Sequence, residues 1–328
     1  MNSTVMRRVH LGPTVGSLVA IRELPIALAI VLVGVAMTIL SPVFLTLDNL
    51  ESVLLGLTVE GTMAVGMVIV LVSGGFDLSV GSTLAFAGVV AGLALSAGLS
   101  APLAVLLGIA SAVGVGVVNG SLIALVGINP FVATLGTQIA IRGLLLVMTS
   151  GVAVLNLPSS FTVIGQGDLW GLQYPIWVML VIVLGMDVLL RNNRFLRQNY
   201  YIGGNVRAAW LSGINVRRVL LVDYCLSAAL AGIAGLLITA RFGSASVTVG
   251  TGTELRVLTA AILGGASLSG GQGSVLGAFL GAAFMGVLAD SLNLLGVGSY
   301  WQDLVTGVIL IGAVVLDVVT ARSRNGSR

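Results

Sequence analysis

The chain has 328 residues, of which 57% are hydrophobic and 8% charged, with a mean hydropathy of +1.11 and a formal net charge of +3. Soluble domains carry about 25% charged residues, so this chain lacks the polar side chains to cover itself with a hydrated surface. All fifteen basic residues are arginine, the one histidine is His10 and the one cysteine is Cys225. That excludes a lysine-dependent phosphate loop, a histidine or thiol metal cluster and a disulfide framework.

Apolar windows of roughly 20 residues, the length that crosses hydrocarbon, recur along the whole chain. They predict an all-α polytopic membrane protein with about ten spans: 24–45, 52–73, 79–98, 101–125, 130–149, 174–191, 219–240, 254–267, 274–297 and 300–319. The eighth is short and reads as a broken or re-entrant helix, which is tolerated where protein or water shields its ends. The domain reading is a tail over 1–23, a membrane domain over 24–319 with a long loop at 192–218, and a second tail over 320–328. No small-residue cleavage motif follows the first span, so it reads as retained.

In chain order, the first polar feature is "VSGGFDLSVGS" (72–82) at the end of span two. Asp77 follows Gly74-Gly75 and precedes Ser79; Asp77 or Ser79 caps the third helix, or else contacts a solute. Asn119 lies inside span four. Thr134, Gln138 and Arg142 recur at i, i+4 and i+8, forming one stripe along the fifth helix. An arginine inside a span costs roughly 2.5–3.5 kcal/mol on insertion scales. Arg142 therefore faces protein or water, either tied to helix carbonyls or a carboxylate or lining a path. Asp290 in span nine sits much as Asn119 does in span four, and both need partners when buried. Asp187, Asp223, Asp303 and Asp317 lie near span ends, where contact with water accounts for them.

Loop 150–173 holds one charge, Asp168, whereas "RNNRFLRQNYYIGGNVRAAWLSGINVRR" (191–218) holds six arginines. Arg7, Arg8 and Arg22 precede the first span, and Arg322, Arg324 and Arg328 end the chain. The positive-inside rule then places both termini and loop 192–218 in the cytoplasm and 150–173 outside. Within the arginine-rich loop, Gly203-Gly204 break the chain, Asn205 can cap a helix over about 206–212, and Gly213 can stop it. Trp210 and Leu211 give that short helix an apolar side. It rests on lipid headgroups or docks on another subunit.

Leu268-Ser269-Gly270-Gly271-Gln272 spells the signature of the ATP-hydrolysing subunit of ABC transporters. With no lysine for a P-loop, and apolar runs on both sides, it reads as a Gly/Ser turn between membrane helices. Two internal echoes also stand out. "GVVNGSLIALVGINPF" (116–131) resembles "GVLADSLNLLGVGSYW" (286–301), and "SGGFDLSVGS" (73–82) resembles "LGGASLSGGQGS" (263–274). Each pair would run in opposite senses through the bilayer, which fits an inverted repeat of the kind transporters use.

Several blocks together resemble one family. "GGNVRAAWLSGINV", "VSGGFDLSVGS", "ATLGT…RG" (133–143) and "LTAAILGGASLSGGQGSVLGA" are similar to the recurring blocks of permease subunits in ribose/xylose/arabinose-type ABC importers, over about residues 40–320. The resemblance implies the ABC importer permease fold, no catalytic residues and no cofactor on this chain, with ATP and Mg on a partner. It implies a cytoplasmic ATPase subunit, an extracytoplasmic sugar-binding protein and a second permease copy or paralogue in the bacterial inner membrane. Gly203, Gly204, Asn205, Ala208, Ala209, Trp210, Leu211, Ser212 and Gly213 would form the segment that meets the ATPase. Asp77, Ser79, Asn119, Thr134, Gln138, Arg142 and Asp290 are the candidates for the translocation path. The competing reading is an ion-coupled secondary transporter of a small polar solute. Nothing interleaves basic and aromatic residues as a nucleic-acid surface would.

Overall fold

A computed structural model describes residues 23–325. The predicted tail with Arg7, Arg8, His10 and Arg22, and the chain end from 326, lie outside the described residues. All ten predicted apolar stretches contain a helix: α1 (Leu24–Leu40), α2 (Leu47–Val72), α3 (Val80–Ser96), α4 (Ala101–Ser121), α5 (Pro130–Thr149), α7 (Tyr174–Asn192), α10 (Val216–Phe242), α11 (Thr253–Leu263), α12 (Val275–Leu294) and α13 (Ser299–Asn325). Seven are long and apolar enough to cross a membrane; α1 and α3 have 17 residues and α11 only 11. The short eighth span is thus a short helix, and the backbone of α13 runs through most of the predicted tail 320–328.

Local chemistry fixes the ends. Thr46 caps α2 by accepting from the Asn49 N–H, and Asp48 lies in its first, electropositive turn. Asn129 caps α5 ahead of Pro130, whose missing N–H is no loss at the first helical position. Ser274 caps α12 by accepting from the Gly277 N–H. α4 runs into a π-helical turn over Leu122–Val126 that ends at Gly127, with φ 85°.

Loop 150–173 is more ordered than its sequence announced. It forms α6 (Ser159–Gln166) and a small hairpin, β1 (Asp168–Leu169) paired antiparallel with β2 (Leu172–Gln173). α6 lies on the end of α10, where Gly165 leaves no space for a Cβ against Ala240 and Arg241.

α2 and α10 form the centre, with α2 buried on all sides from Gly61 to Val72. Around them the chain repeats itself. α3 packs on α4 and α10, and α11 packs on α12 and α2; α4 packs on α10, and α12 on α2. α2 ends beside the arginine-rich loop, because Gly203 lies against the Val72 carbonyl; α10 starts there and ends at the hairpin side. The two central helices therefore run in opposite directions, and α2–α5 and α10–α13 form an inverted pair. Each half contains a non-helical break built largely of turns, 73–79 before α3 and 243–252 before α11.

The echo of 116–131 in 286–301 falls on equivalent junctions, α4 to α5 and α12 to α13. The other echo does not. Segments 73–82 and 263–274 meet at one end of the bundle, since a Cβ on Gly270 would lie 2.8 Å from the Gly74 Cα. Inverted equivalents would sit at opposite ends. Recurring Gly and Ser in turns produced that match, and the true counterpart of 73–79 is 243–252.

Close packing needs small residues, because no water-driven term pulls helices together in lipid. Gly235 of α10 faces the Leu84 carbonyl of α3, and Gly281 of α12 faces the Ala260 carbonyl of α11, with no room for a Cβ at either.

Candidate functional site

Two clusters of polar groups lie inside the bundle. The first runs across four segments as a chain of hydrogen bonds. Asp77 Oδ1 accepts from the Ser79 N–H at 2.9 Å and from the Ser79 hydroxyl at 2.6 Å. The Ser227 hydroxyl of α10 donates to Asp77 Oδ2 at 3.1 Å. Asn119 Nδ2 of α4 donates to Ser79 Oγ at 2.8 Å, and the Thr137 hydroxyl of α5 donates to Asn119 Oδ1 at 2.7 Å. Asp77, Ser79 and Asn119 are each 0% exposed.

Burial at this depth is tolerable only because every member is paired. The capping expectation needs refinement. Ser79 makes no side-chain cap on α3; Asp77 instead receives its N–H and its hydroxyl.

The second cluster joins the two halves. Arg142 Nη1 donates to the Val247 carbonyl at 2.7 Å and the Val249 carbonyl at 2.9 Å, and Nη2 donates to the Gly81 carbonyl at 3.2 Å. The guanidinium thus clasps the break before α11 to the start of α3. Gln138, one turn away, donates to Glu254 Oε1 at 2.8 Å. Gly81 and Gly250 face each other's carbonyls, so backbone meets backbone where α3 and α11 begin.

The stripe on α5 therefore does three different things. Arg142 holds carbonyls, Gln138 holds Glu254, and Thr134, fully buried, donates to its own helix at Pro130. Asp290 joins neither cluster. It accepts from Asn49 Nδ2 at 2.9 Å and ties α12 to α2.

Composition gave no warning of Ser227, Thr137 and Glu254, because each is a single polar residue in an otherwise ordinary run. Asp223 and Asp187, both buried, correct the expectation of water contact, whereas Asp303 is exposed and Asp317 is half-buried. Asp223 is 0% exposed and accepts from Asn199 Nδ2 at 2.8 Å; Asp317 accepts from the Ser267 hydroxyl and the Leu268 N–H. Asp187 pairs with Arg191 one turn on, at 2.8 Å.

The arginine-rich loop folds as two short helices, α8 (Gln198–Gly204) and α9 (Val206–Leu211). Asn205 separates them and caps α9 by accepting from the Ala208 N–H at 2.9 Å, and Gly213 leaves it at φ 84°. α8 has no counterpart in the sequence reading, which placed only a glycine break there. Val206, Trp210 and Leu211 stand out at 55%, 66% and 70% exposure, and Gly204, Asn205, Ala208, Ser212 and Gly213 are exposed beside them.

Two of the nine named positions face inward instead. Ala209 packs with Ile202 and Val219, and Gly203 lies on the turn after α11. A groove of about 430 Å³ runs along α9 past Tyr200, Tyr201, Gly204, Asn205, Ala208 and Ser212. The LSGGQ stretch is the Gly/Ser turn expected, with Gly270 and Gly271 at φ 80° and 72°.

Ten apolar helical segments, the start of α3 meeting the break before α11 inside the bundle and an exposed helical knob at one end define an integral membrane protein of the transport class. Residues 49–314 match the family described as "Branched-chain amino acid transport system / permease component", and the chain belongs to it. It is 39% identical over 292 residues to the ribose import permease protein of Escherichia coli (strain K12), covering 88% of this chain and 91% of the relative. The ribose import permease protein of Bacillus subtilis (strain 168) is also 39% identical, over 293 residues, with the same shares. The L-arabinose ABC transporter permease protein of Azospirillum brasilense is 36% identical over 287 residues, 88% of this chain and 85% of that one. No solved structure matches the chain.

Proposed function

We propose that this chain is the membrane-spanning permease subunit of an ATP-binding cassette importer that carries a monosaccharide, a ribose-like pentose or hexose or a related polyol, into the cytoplasm. The observation that carries this reading is the near end-to-end similarity to permeases named for ribose and arabinose. Those names favour a sugar over the amino acids in the family's description. They also weigh against an ion-coupled carrier. An extracytoplasmic binding protein delivers the sugar, a second permease copy or paralogue completes the pathway, and a separate cytoplasmic ATPase binds ATP and Mg. The chain lies in the bacterial inner membrane with both ends in the cytoplasm, following its arginines.

The exposed Val206, Trp210 and Leu211, set beside the groove on α9, support docking of the ATPase there. An apolar tip on a helix of six residues is marginal in water and gains order from a partner. Of the candidate path residues, Gln138, Arg142 and Asp290 keep partial exposure, while Asp77, Ser79, Asn119 and Thr134 are enclosed and brace the walls. Sugar passes by alternating access as the two halves rock about their seam.

The test is reconstitution with the cognate ATPase and binding protein. Gly204→Arg or Ala208→Arg places a long charged side chain in the groove, and is expected to abolish uptake and weaken ATPase pull-down. Normal coupled uptake in these variants overturns the docking role. Ion-driven uptake by this chain without any ATPase overturns the whole reading.

A further inference from the structure

The exposed segment α8–α9 touches the rest of the bundle through an unusual contact. Gly203, the penultimate residue of α8, has no room for a Cβ. One built there would strike the Val72 carbonyl at the end of α2 and the Gly271 N, with the Gly270 carbonyl carbon at 3.0 Å. Conversely, a Cβ on Gly270 would lie 2.8 Å from the Gly74 Cα and 2.9 Å from the Gly203 Cα. Three backbones therefore meet with no side chain between them: α8, the break after α2, and the turn between α11 and α12.

Hydrogen bonds fasten the same place. The Gly271 N–H donates to the Val72 carbonyl at 2.8 Å, and the Tyr200 hydroxyl of α8 donates to the Gly273 carbonyl at 2.9 Å. Asn199 of α8 also donates to the buried Asp223 of α10 at 2.8 Å.

Gly74 belongs to the first half of the inverted pair, and Gly270 to the second. Gly203 belongs to neither and bears on both. A side-chain contact can absorb displacement by changing rotamer, but backbone packed on backbone cannot. Gly74 also opens the break that leads, three residues on, to the carboxylate of Asp77. The turn holding Gly270 leads directly into α12.

We propose that Gly203 is a positioning residue: its backbone joint with Gly74 and Gly270 transmits movement of the α8–α9 segment to both halves of the permease at once. The proposal rests on the reading that α9 docks the ATPase. It separates two tasks that sequence alone merges, since the exposed face of α9 grips the motor while the buried glycine of α8 passes the stroke inward.

The test uses the full transporter, reconstituted with its ATPase and binding protein, and reads sugar imported per ATP hydrolysed. Gly203→Ala and Gly270→Ala are each expected to retain ATPase pull-down and ATP hydrolysis while sugar per ATP falls about tenfold, within the range that mutations along a coupling network reach. Stimulation of hydrolysis by sugar-loaded binding protein is expected to vanish with it. Gly286→Ala, on α12 with nothing within 4 Å of its Cβ, is the control and is expected to behave as the parent.

A folded Gly203→Ala transporter with unchanged sugar per ATP overturns the joint. Should that variant not fold, Tyr200→Phe removes one fastening while keeping the ring, and unchanged coupling there overturns the joint equally. Failure of the parent chain to bind the ATPase at all is a distinct outcome, which overturns the docking reading and this one with it.

Discussion

Arg142 shows how much one half-buried side chain can hold. Its guanidinium donates to three carbonyls from two different segments, using two nitrogens held apart by a planar fork, whereas an ammonium offers its three donors from a single point. Arg142→Leu leaves those carbonyls without a donor, each costing about 1–3 kcal/mol if it finds no substitute. We expect a lowered thermal midpoint in detergent and loss of uptake, with Arg142→Lys recovering only part of both; a thermal scan beside an uptake assay checks this. The chain from Ser227 to Thr137 is a different case, because its members act together. Ser79→Ala and Asn119→Leu are each expected to destabilise by about 1–2 kcal/mol, and the double variant by clearly less than the sum, since both break one network. A double-mutant cycle read by thermal or denaturant unfolding decides it. Sequence pointed to Asp77, Ser79, Asn119 and Arg142 because a polar group inside an apolar run stands out. Beyond Asp77 and Ser79, two residues apart, it could not pair them. Spacing along one helix shows which residues share a face, but their partners here come from other helices, and the partner of Arg142 is bare backbone, which no letter encodes.

At the scale of elements, the long apolar helices were legible almost to their ends, because a run of apolar residues in lipid has no alternative to a helix. The short pieces were less so. α9 was readable from Asn205 and Gly213, whose cap and stop are visible as letters. α8 was hidden by the same Gly203-Gly204 pair that looks like a break, because those glycines serve close packing at the end of a helix. The cap carries a prediction of its own. Asn205→Ala removes the acceptor for the Ala208 N–H and costs about 1 kcal/mol. For a helix of six residues that is enough to raise hydrogen exchange of the 206–211 amides, and we expect uptake to fall with it. Unchanged exchange in the variant would show that neighbouring contacts, not the cap, hold α9.

For the molecule as a whole, the decisive feature is the seam where α3 and α11 begin. Arg142 belongs to one half and the carbonyls of Val247 and Val249 to the other, while Gly81 and Gly250 bring the two backbones together. The break before α11 is held by a side chain of the other half. Detergent, heat or a lost partner subunit acts first on the rims, where loops meet solvent and donors can be replaced by water. The stitched middle is fastened from both halves at once, so the expected order of melting runs from both faces inward. In exchange experiments on the unfolding protein, the amides over 80–84 and 253–260 would take up deuterium after those of the exposed loop helix over 206–211, marking the point about which the two halves are free to tilt.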